Sequence, residues 1–372
     1  MARLMIGIVL SALLLAGGGV SAQRGASPAE PFKLGTFAID GRPTVGVVLR
    51  DSVVVDLAAA NRELEQRPEF VRLAMPADMR ALIGQYEYGL KLRLYEIVDA
   101  LVREQRLDRD RRPSFVHDLA KLRTMAPILY PSKILNAAGN YYGHVSESST
   151  PEEQRKVAEA RRKARGTPYL FLKPTLGAIV GNGDDIVLPR GRDKIDWECE
   201  LAVVIGRPAK YVTAAQAKDY IFGYTIELDM SDRGGRPGET EPRSDWFVGK
   251  GHDTFAPMGP FIVPKEFFAD PMNVRQTLTV NGKMMQDSRS SDMIHNIFEL
   301  IEYGSSIMTL FPGDVISAGS PAGTGMSRSV RPEQVFLKAG DRIVATIDGI
   351  GTMTHTARAE AGSVIGTGTG TR

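Results

Sequence analysis

Residues 196–206 decide how this chain folds, and they read Asp196-Trp197-Glu198-Cys199-Glu200-Leu201-Ala202-Val203-Val204-Ile205-Gly206. The part from Leu201 to Gly206 is an unbroken apolar run, which predicts a buried strand. Because side chains alternate along a strand, Glu198 and Glu200 point to one face and Cys199 to the other. Cys199 is therefore expected to be a small core residue. Two carboxylates at the mouth of a buried strand repel each other unless a cation lies between them.

A second apolar strand leads to a third carboxylate. The apolar run 221–226 is followed by Glu-Leu-Asp at 227–229 and then by a Gly-rich segment. Three oxygen ligands from strand ends, with water completing an octahedron, are what Mg²⁺ or Mn²⁺ prefers. Glu198, Glu200 and Asp229 are therefore candidate metal ligands. The alternative is an exposed strand edge on which Glu198 and Glu200 pair with lysines.

A histidine and a glutamate follow an earlier apolar run. Residues 140–147 read Asn-Tyr-Tyr-Gly-His-Val-Ser-Glu, so His144 and Glu147 are three positions apart and share one side of a single helical turn. A carboxylate beside an imidazole raises its basicity and fixes its tautomer, as a water-activating base requires. The alternative is a capping pair or a surface pair.

Two further features could belong to the same site. Lys250 is flanked by apolar residues and Gly, so it is either a lysine that snorkels at the core edge or an electrophilic cation at a site. The tight loop Gly319–Gly325 follows a predicted strand at 314–318. Its backbone N–H groups could hold a substrate carboxylate, and the alternative is an ordinary turn.

The composition excludes several classes of protein. The chain has 372 residues, 43% hydrophobic and 24% charged, with a net charge of +2 and a single cysteine. Such a chain is neither disordered, collagen-like nor a polytopic membrane protein, and it forms no intramolecular disulfide. It shows no clustered basic face for nucleic acid. It also lacks the G-x-x-x-x-G-K-[ST], G-x-S-x-G, H-E-x-x-H and C-x-x-C patterns of nucleotide, serine-hydrolase and zinc sites.

The first 22 residues are typical of a targeting segment. One positive charge precedes the apolar stretch 4–16, and Val20-Ser21-Ala22 has small residues at the cleavage positions. The stretch is shorter than the ~20 residues that span a bilayer. We therefore predict a signal peptide cut after Ala22 and a secreted or periplasmic protein with no membrane contact after cleavage. The alternative is an uncleaved anchor.

The mature chain divides into two predicted parts and a tail. Residues 23–130 are expected to form a small β-rich N-terminal domain, with strands at 44–49 and 53–57 and a helix over 78–106. Residues 131–360 form the predicted catalytic domain, and 361–372 a disordered tail. Residues 150–166 predict a helix that is either a solvated surface element or a mobile lid. A second amphipathic helix is predicted at 291–310 in an otherwise strand-dominated region.

Taken in order, these motifs resemble the fumarylacetoacetate hydrolase family, including its acylpyruvate hydrolases and 2-hydroxyhepta-2,4-diene-1,7-dioate isomerases. The resemblance runs from about Pro131 to Thr356. The residues that carry it are Asn140, Tyr141, His144, Glu147, Phe171-Leu172-Lys173-Pro174, Glu198, Glu200-Leu201-Ala202, Gly223-Tyr224-Thr225, Asp229, Gly249-Lys250, Pro312-Gly313-Asp314 and Gly319-Ser320-Pro321-Ala322-Gly323. Ser320 replaces a usual Thr and Leu228 a common Asn, and Glu227 is an additional acid.

The resemblance implies a fold, a cofactor and a set of roles. It implies a mostly β, α+β protein whose catalytic domain is a mixed β-sandwich roll, commonly a homodimer. Mg²⁺ or Mn²⁺ would be held by Glu198, Glu200 and Asp229. His144 would be the base, Glu147 its orienting partner and Lys250 the electrostatic partner. Tyr141, Arg233 and Ser320 would lie at the substrate, a small 2-oxo acid.

Three functions compete on this basis. The first is a divalent-metal-dependent hydrolase that cleaves a C–C bond of an acylpyruvate or related β-diketo acid, as in the catabolism of aromatic compounds. The second is an isomerase or decarboxylase of unsaturated 2-oxo diacids on the same metal site. The third is an exported, non-catalytic binder of small oxo acids. The presence of His144 and Glu147 favours hydrolysis, because only hydrolysis needs an activated water.

Overall fold

The computed structural model describes residues 27–147, 150–238, 245–328 and 335–361. The predicted signal peptide and the tail from residue 362 lie outside the described residues. None of the helices within the described ranges is long and apolar enough to cross a lipid bilayer.

Strands dominate the described part of the chain. In chain order they are β1 (Lys33–Ile39), β2 (Arg42–Leu49), β3 (Val53–Asp56), β4 (Val116–Asp118), β5 (Arg123–Met125), β6 (Ile134–Ala137), β7 (Leu170–Lys173), β8 (Ile179–Val180), β9 (Ile186–Leu188), β10 (Ile195–Asp196), β11 (Cys199–Ile205), β12 (Ile221–Leu228), β13 (Ser231–Asp232), β14 (Ala256–Pro264), β15 (Arg275–Val280), β16 (Lys283–Arg289), β17 (Val315–Ser317), β18 (Arg342–Ile347) and β19 (Gly351–Ala359). The α-helices are α1 (Leu57–Leu64), α2 (Met79–Gln85), α3 (Lys91–Arg103), α4 (Pro151–Lys163), α5 (Trp246–Lys250), α6 (Ile297–Ile307) and α7 (Gly325–Arg328). The predicted α+β class with a β-rich body is confirmed.

The largest sheet among the described residues joins both predicted parts of the chain. Its order is β4-β3-β2-β1-β14-β12-β11-β17-β6-β7, with β5 on β1 and β8 on β14. A second sheet has the order β16-β15-β18-β19-β9, and β10 pairs with β13. Strand β1 pairs with β14 through Leu34 and Ile262, so hydrogen bonding continues across the predicted boundary at residue 130. The division into two domains therefore stays a prediction.

The strands that carry the acidic residues lie in the middle of the large sheet. β11 and β12 are antiparallel and buried along their whole length. Cys199 is fully buried in the core, as the alternation predicts. β11 begins at Cys199 and β12 ends at Leu228, so both strands extend by two residues toward the carboxylates compared with the predicted apolar runs.

Two predicted helices differ from the observed ones. The helix predicted over 78–106 begins after Asp78, which caps Ala81, but it is divided into α2 and α3. A π-turn separates them, because Gly89 takes a φ of +114° that no helix interior adopts. The helix predicted at 291–310 is only α6, since Asn296 caps its first turn with Glu299 in a capping box.

Candidate metal centre and base

Three buried carboxylates meet at the paired ends of β11 and β12. Glu198 immediately precedes β11, Glu200 lies within it, and Asp229 immediately follows β12. Each contributes an oxygen, and these oxygens lie within 4.8 Å of one another. The backbone N–H of Asp229 donates to the carbonyl of Glu198 at 2.9 Å, which fixes the two strand ends together. The three carboxylates that the sequence predicts as metal ligands therefore lie together at these strand ends.

Two lysines neutralise part of this negative charge. The Lys250 ammonium lies 2.7 Å from Glu198 Oε2 and 2.5 Å from Asp229 Oδ2. Lys173 bonds to the other oxygen of Asp229 and donates to the Met230 carbonyl at 3.0 Å. Although burial lowers the pKa of Lys250, its carboxylate neighbours outweigh burial and raise it. The alternative prediction of an exposed strand edge is wrong, because Glu198 and Glu200 are buried. The lysine pairing that this alternative included is present for Glu198, which contacts Lys250.

An arginine links Glu198 to a further buried acid. Arg233 donates to Glu198 Oε1 at 2.6 Å and to Asp196 Oδ2 at 3.0 Å. Burial raises the pKa of Asp196. Burial would also raise the pKa of Glu198, but Lys250, Arg233 and His144 together hold it below its ordinary value. Glu198 is therefore ionised and sits at the centre of the charged cluster.

The predicted histidine–glutamate pair faces this cluster. His144 begins a 3-10 turn that ends at Glu147, and His144 Nδ1 lies 2.9 Å from Glu147 Oε2. His144 Nε2 lies 3.8 Å from Glu198 Oε1. Burial lowers the pKa of His144, but the two glutamates outweigh burial and raise it. The alternative of an unconnected surface pair is wrong, because both side chains are largely covered.

The loop Gly319–Gly325 binds the protein's own carboxylates. The N–H of Gly319 donates to Glu200 Oε2 at 2.9 Å, and that of Gly325 to Asp196 Oδ1 at 2.5 Å. The N–H of Gly323 donates to Glu147 Oε1. The sequence left two interpretations of this loop open, amides that could hold a substrate carboxylate and an ordinary turn; three of the amides donate instead to acids of the site.

Glu227 adds a fourth carboxylate beside the cluster. It lies directly opposite Glu200 in the pairing of β11 and β12, so both side chains are on the same face. Glu227 Oε2 accepts from Asn136 Nδ2 and Ser317 Oγ, each at 2.9 Å. Burial, followed by the proximity of Asp229, raises the pKa of Glu227 to about 8. Burial and the neighbouring Asp229 also raise the pKa of Glu200.

This donor set fits a divalent cation. The ligand atoms offered by Glu198, Glu200 and Asp229 are all oxygens, the ligands that Mg²⁺ and Mn²⁺ favour. Their mutual distances match one ion with water in its remaining positions. Burial and then the neighbouring carboxylates raise the pKa of Glu200, and a cation between these carboxylates would favour its ionised form. The three residues would hold the ion, and Glu147 and His144 lie outside that set.

The three predicted substrate-binding residues lie in different surroundings. Arg233 is part of the charged cluster described above. Ser320 is buried, accepts from Gln286 Nε2 at 2.9 Å and donates to the Pro321 carbonyl. Tyr141 is fully buried in the core, and its hydroxyl bonds to Gln276 Nε2 at 2.5 Å. Contact with a substrate stays a prediction for all three.

The remaining histidines lie outside the carboxylate cluster. His252 Nε2 lies 3.1 Å from Asp232 Oδ2. The backbone N–H of His295 donates to Asn140 Oδ1 at 2.8 Å, and its ring contacts the Arg165 carbonyl.

Sequence reasoning missed three residues that shape the site. The sequence could have indicated that Lys173 is buried, because strand alternation puts it on the same face of β7 as Phe171. Asp196 stands in the stretch that decides the fold but was given no role there. Gln286 carried no local signal: its side chain joins Ser320 to the N–H of Cys199 across 34 and 87 residues of chain.

Comparison with known families and curated proteins agrees with these observations. The family profile described as fumarylacetoacetate (FAA) hydrolase, C-terminal, matches residues 133–358. An uncharacterized protein of Pyrococcus abyssi is 44% identical over 232 residues, which cover 62% of this chain and 92% of that protein. A mitochondrial oxaloacetate tautomerase of Bos taurus is 37% identical over 227 residues, covering 61% of this chain and 67% of that protein.

Solved structures share the fold over most of the chain. A maleylpyruvate hydrolase from Sphingobium sp. SYK-6, in complex with manganese(II) and pyruvate, aligns with 88% of this chain and 100% of its own, with a TM-score of 0.65 and 28% identity. A 5-carboxymethyl-2-hydroxymuconate delta-isomerase from Mycobacterium smegmatis aligns with 89% of this chain and 100% of its own, with a TM-score of 0.60 and 31% identity.

Proposed function

Because the chain belongs to the fumarylacetoacetate hydrolase family of enzymes, we propose that it is a divalent-metal-dependent hydrolase that cleaves the C–C bond of an acylpyruvate or a related β-diketo acid. One observation carries the choice of hydrolysis. His144 Nε2 faces Glu198 at 3.8 Å, while its Nδ1 is held by Glu147 at 2.9 Å. An imidazole oriented in this way at the edge of a metal-binding cluster is what activation of a water molecule requires.

The base is held in place through its partner. Glu147 accepts hydrogen bonds from the N–H of Gly323 and from Thr324 Oγ1, the second at 3.1 Å. With Nδ1–H donating to Glu147, the neutral imidazole has its lone pair on Nε2. His144 would take a proton from water there, and the hydroxide oxygen would bond to the acyl carbonyl carbon.

Bond cleavage leaves negative charge on the departing pyruvate enolate. A divalent cation at Glu198, Glu200 and Asp229 would supply Lewis acidity toward the 2-oxo acid. Lys250 and Arg233 lie around the same carboxylates and would stabilise developing negative charge. The C–C bond breaks toward the enolate, which takes up a proton, so the products are pyruvate and a carboxylic acid.

The competing reactions use the same cluster, and tautomerisation and isomerisation also need a base, which removes a proton from carbon. Tautomerisation, isomerisation and decarboxylation of 2-oxo acids all pass through an enolate and need no activated water. For an exported, non-catalytic binder the His144–Glu147 pair would have no task. The oriented pair therefore favours an enzyme over the binder, and we propose that His144 activates water because its Nε2 faces the candidate metal cluster.

The decisive experiment uses the chain from Gln23 onward, stripped of metal. Loss of enol absorbance would be followed for several acylpyruvates and for oxaloacetate, with and without Mg²⁺ or Mn²⁺. We expect metal-restored loss with pyruvate and a free acid as products. Pyruvate and CO₂ from oxaloacetate alone would favour the decarboxylase. Metal binding without any turnover would favour the binder.

Replacement of the base gives a sharper test. In His144→Ala we expect kcat to fall by about 10²- to 10⁴-fold, the usual contribution of general base catalysis. Affinity for Mg²⁺ should change little, because His144 is not among the three carboxylates. The control is His117→Asn on β4, which lies at one end of the large sheet, away from β11 and β12 in its middle. Full activity in His144→Ala would show that another group activates the water.

Two further proposals concern the protein in the cell. We expect the chain to act as a secreted or periplasmic homodimer with a small 2-oxo acid as substrate, and without nucleic-acid partners. N-terminal sequencing of the exported protein should give Gln23 as its first residue. Sedimentation should give twice the mass of the mature chain.

A further inference from the structure

An aromatic wall leads outward from the charged cluster. We define it as Phe171, Trp246 and Tyr169. The ring centroids of Phe171 and Trp246 are 4.5 Å apart, and those of Trp246 and Tyr169 are 5.4 Å apart. The Lys250 ammonium lies 5.3 Å from the centroid of Phe171. The wall therefore begins at a cation of the candidate site.

Exposure rises steadily along this wall. Phe171 is 9% exposed, Trp246 37% and Tyr169 54%. A row of tilted and edge-on rings that runs from a buried ammonium to solvent offers an apolar surface beside the carboxylate cluster. Rings of this kind bind apolar or aromatic groups through burial and offset or edge contacts.

The wall is built into the elements that carry the site's cations. Phe171 and Lys173 are two residues apart on β7, and both side chains are buried. Trp246 and Lys250 are four residues apart on α5, so they share one side of that helix. Each element therefore supplies one ring and one ammonium.

The cations next to the wall are already paired. Lys250 contacts Glu198 and Asp229, and Lys173 contacts Asp229. At the outer end, the residue preceding Trp246 is Asp245, which is ion-paired with Arg236 at 2.8 Å. Each of these three cations, Lys173, Lys250 and Arg236, is thus paired with a carboxylate of the protein. Within the described ranges, none of the three is therefore reserved for a second carboxylate of the substrate.

We propose that the substrate is a monocarboxylate β-diketo acid whose acyl group is apolar, aromatic or branched, and lies along Phe171, Trp246 and Tyr169. This inference rests on the proposed function and specifies its substrate class. Trp246 is the specificity-determining residue, because its ring contacts both of the others. A dicarboxylate such as maleylpyruvate would place its second charge against the rings at a cost.

The test compares three substrates in the presence of Mg²⁺: acetylpyruvate, benzoylpyruvate and maleylpyruvate. We expect kcat/KM to be about tenfold or more higher for benzoylpyruvate than for the other two. Trp246→Ala should lower kcat/KM for benzoylpyruvate by about 10- to 100-fold, mainly through KM, and should lower it less for acetylpyruvate, whose methyl group would cover less of the ring. Trp246→Phe should keep most of the preference, because it keeps a ring.

The matched control is Tyr88→Ala, which removes an aromatic ring that is 74% exposed in the N-terminal part of the chain. It should leave all three substrates unchanged. Sedimentation velocity would be run on every variant. If Trp246→Ala altered only the association state and left the ratio of substrates unchanged, the wall would be an interface between copies and the inference would be wrong.

A binding measurement separates this inference from the proposed function. Calorimetry on His144→Ala with Mg²⁺ reports affinity without turnover. If no substrate is cleaved by the native protein but benzoylpyruvate binds more tightly and Trp246→Ala abolishes the difference, the wall stands and hydrolysis fails. If acetylpyruvate is cleaved but benzoylpyruvate has no advantage in rate or affinity, hydrolysis stands and the wall is refuted.

Discussion

At the scale of single residues, the most informative contact is that of Lys250. Its ammonium touches Glu198 and Asp229, two of the three carboxylates that fit a divalent cation. The lysine and the ion therefore share two ligands. Two positive charges a few ångströms apart in a buried site repel each other strongly. Lys250 would thus weaken the binding of a cation while it supplies positive charge for the proposed reaction.

This competition predicts opposite effects of one substitution. In Lys250→Met, affinity for Mg²⁺ should rise by about tenfold or more, because a neighbouring positive charge is lost. At the same time kcat should fall by about 10²- to 10³-fold, because the developing negative charge loses a partner. Calorimetry and steady-state kinetics check the two effects. The control is Lys121→Met, which removes an exposed lysine paired with Asp118. Weaker Mg²⁺ binding in Lys250→Met would show that the lysine supports the cation.

Another buried residue should make stability depend on pH. His355 lies within β19, where Nδ1 bonds to the Asp184 carbonyl at 2.8 Å and Nε2 has no partner among the described residues. Burial lowers the pKa of His355. The unfolded chain therefore binds a proton first as the pH falls below about 6.5, the ordinary value for histidine.

Because burial disfavours protonation of His355 in the folded protein, the folded state should become less stable in mild acid. The free energy of unfolding is expected to fall below pH ~6.5 with a slope of at most about 1.4 kcal/mol per pH unit for this one proton. His355→Asn can keep the bond to the Asp184 carbonyl and should remove this slope. Urea unfolding between pH 5 and 8 measures it, with His117→Asn as the control. An unchanged slope in His355→Asn would mean that His355 is protonated in the folded protein as well.

At the scale of elements, α4 is attached to the rest of the protein at few points. Among the side chains of α4 that the structure describes, most are exposed and none is buried. The guanidinium of Arg162 lies 4.8 Å from the ring centroid of Tyr142, two residues before the proposed base. Just beyond the helix, Arg165 donates to the Ile294 carbonyl at 2.7 Å. Because so little tertiary packing holds α4, its stability depends on its own caps and ion pairs.

We therefore expect a local effect from its N-cap. Thr150 and Glu153 form a capping box at the start of α4. Thr150→Ala should cost about 1 kcal/mol of helix stability, which corresponds to roughly fivefold faster amide exchange within 151–163. The melting temperature should stay the same. Thr213→Ala, which breaks a similar contact to Gln216 elsewhere, is the control. Uniformly slow exchange in Thr150→Ala would show that packing rather than capping fixes α4, and would argue against a mobile lid.

Prediction from sequence succeeded where the signal was local. The apolar runs of β11 and β12 and the alternation of Glu198 and Glu200 located the acidic cluster. The three-residue spacing of His144 and Glu147 located the pair that faces this cluster. The break at Gly89 was missed, because apolar positions recur at helical spacing through it. The ties of the 319–325 loop to the acids were missed as well, because they join residues more than a hundred positions apart and leave no periodic pattern.

At the scale of the whole molecule, the large sheet ties the N-terminal strands to the site-bearing ones. Leu34 of β1 is fully buried and pairs with Ile262 of β14. The same hydrophobic cluster contains Val204 of β11 and Phe222 of β12. Loss of packing in the first strands should therefore reach the strands that carry the acidic residues.

This continuity predicts one cooperative unfolding transition. Leu34→Ala should lower the free energy of unfolding by about 2–4 kcal/mol, the cost of a cavity in a packed core. Tryptophan fluorescence reports only on the second part of the chain, because both tryptophans follow residue 131. Its transition should shift together with that of far-ultraviolet circular dichroism. Val71→Ala, at an exposed position, is the control. Two separate transitions would show that the two parts unfold independently.

The loop of residues 319–325 has a consequence for how this site can be studied and how it can vary. Its ties to Glu200 and Asp196 are made by peptide groups, and Glu147 accepts from the Gly323 N–H and from the Thr324 hydroxyl. Replacing the loop side chains with alanine would therefore remove only the Thr324 donor and leave the backbone donors in place. Two glycines determine the backbone path of the loop, because Gly319 and Gly323 have φ values of +91° and +103°, which favour glycine. A Cβ on Gly323 would lie 1.9 Å from the Met285 carbonyl oxygen. The path of one short piece of main chain thus aligns a candidate metal ligand with the partner of the proposed base, and a side chain added at Gly323 would disturb both.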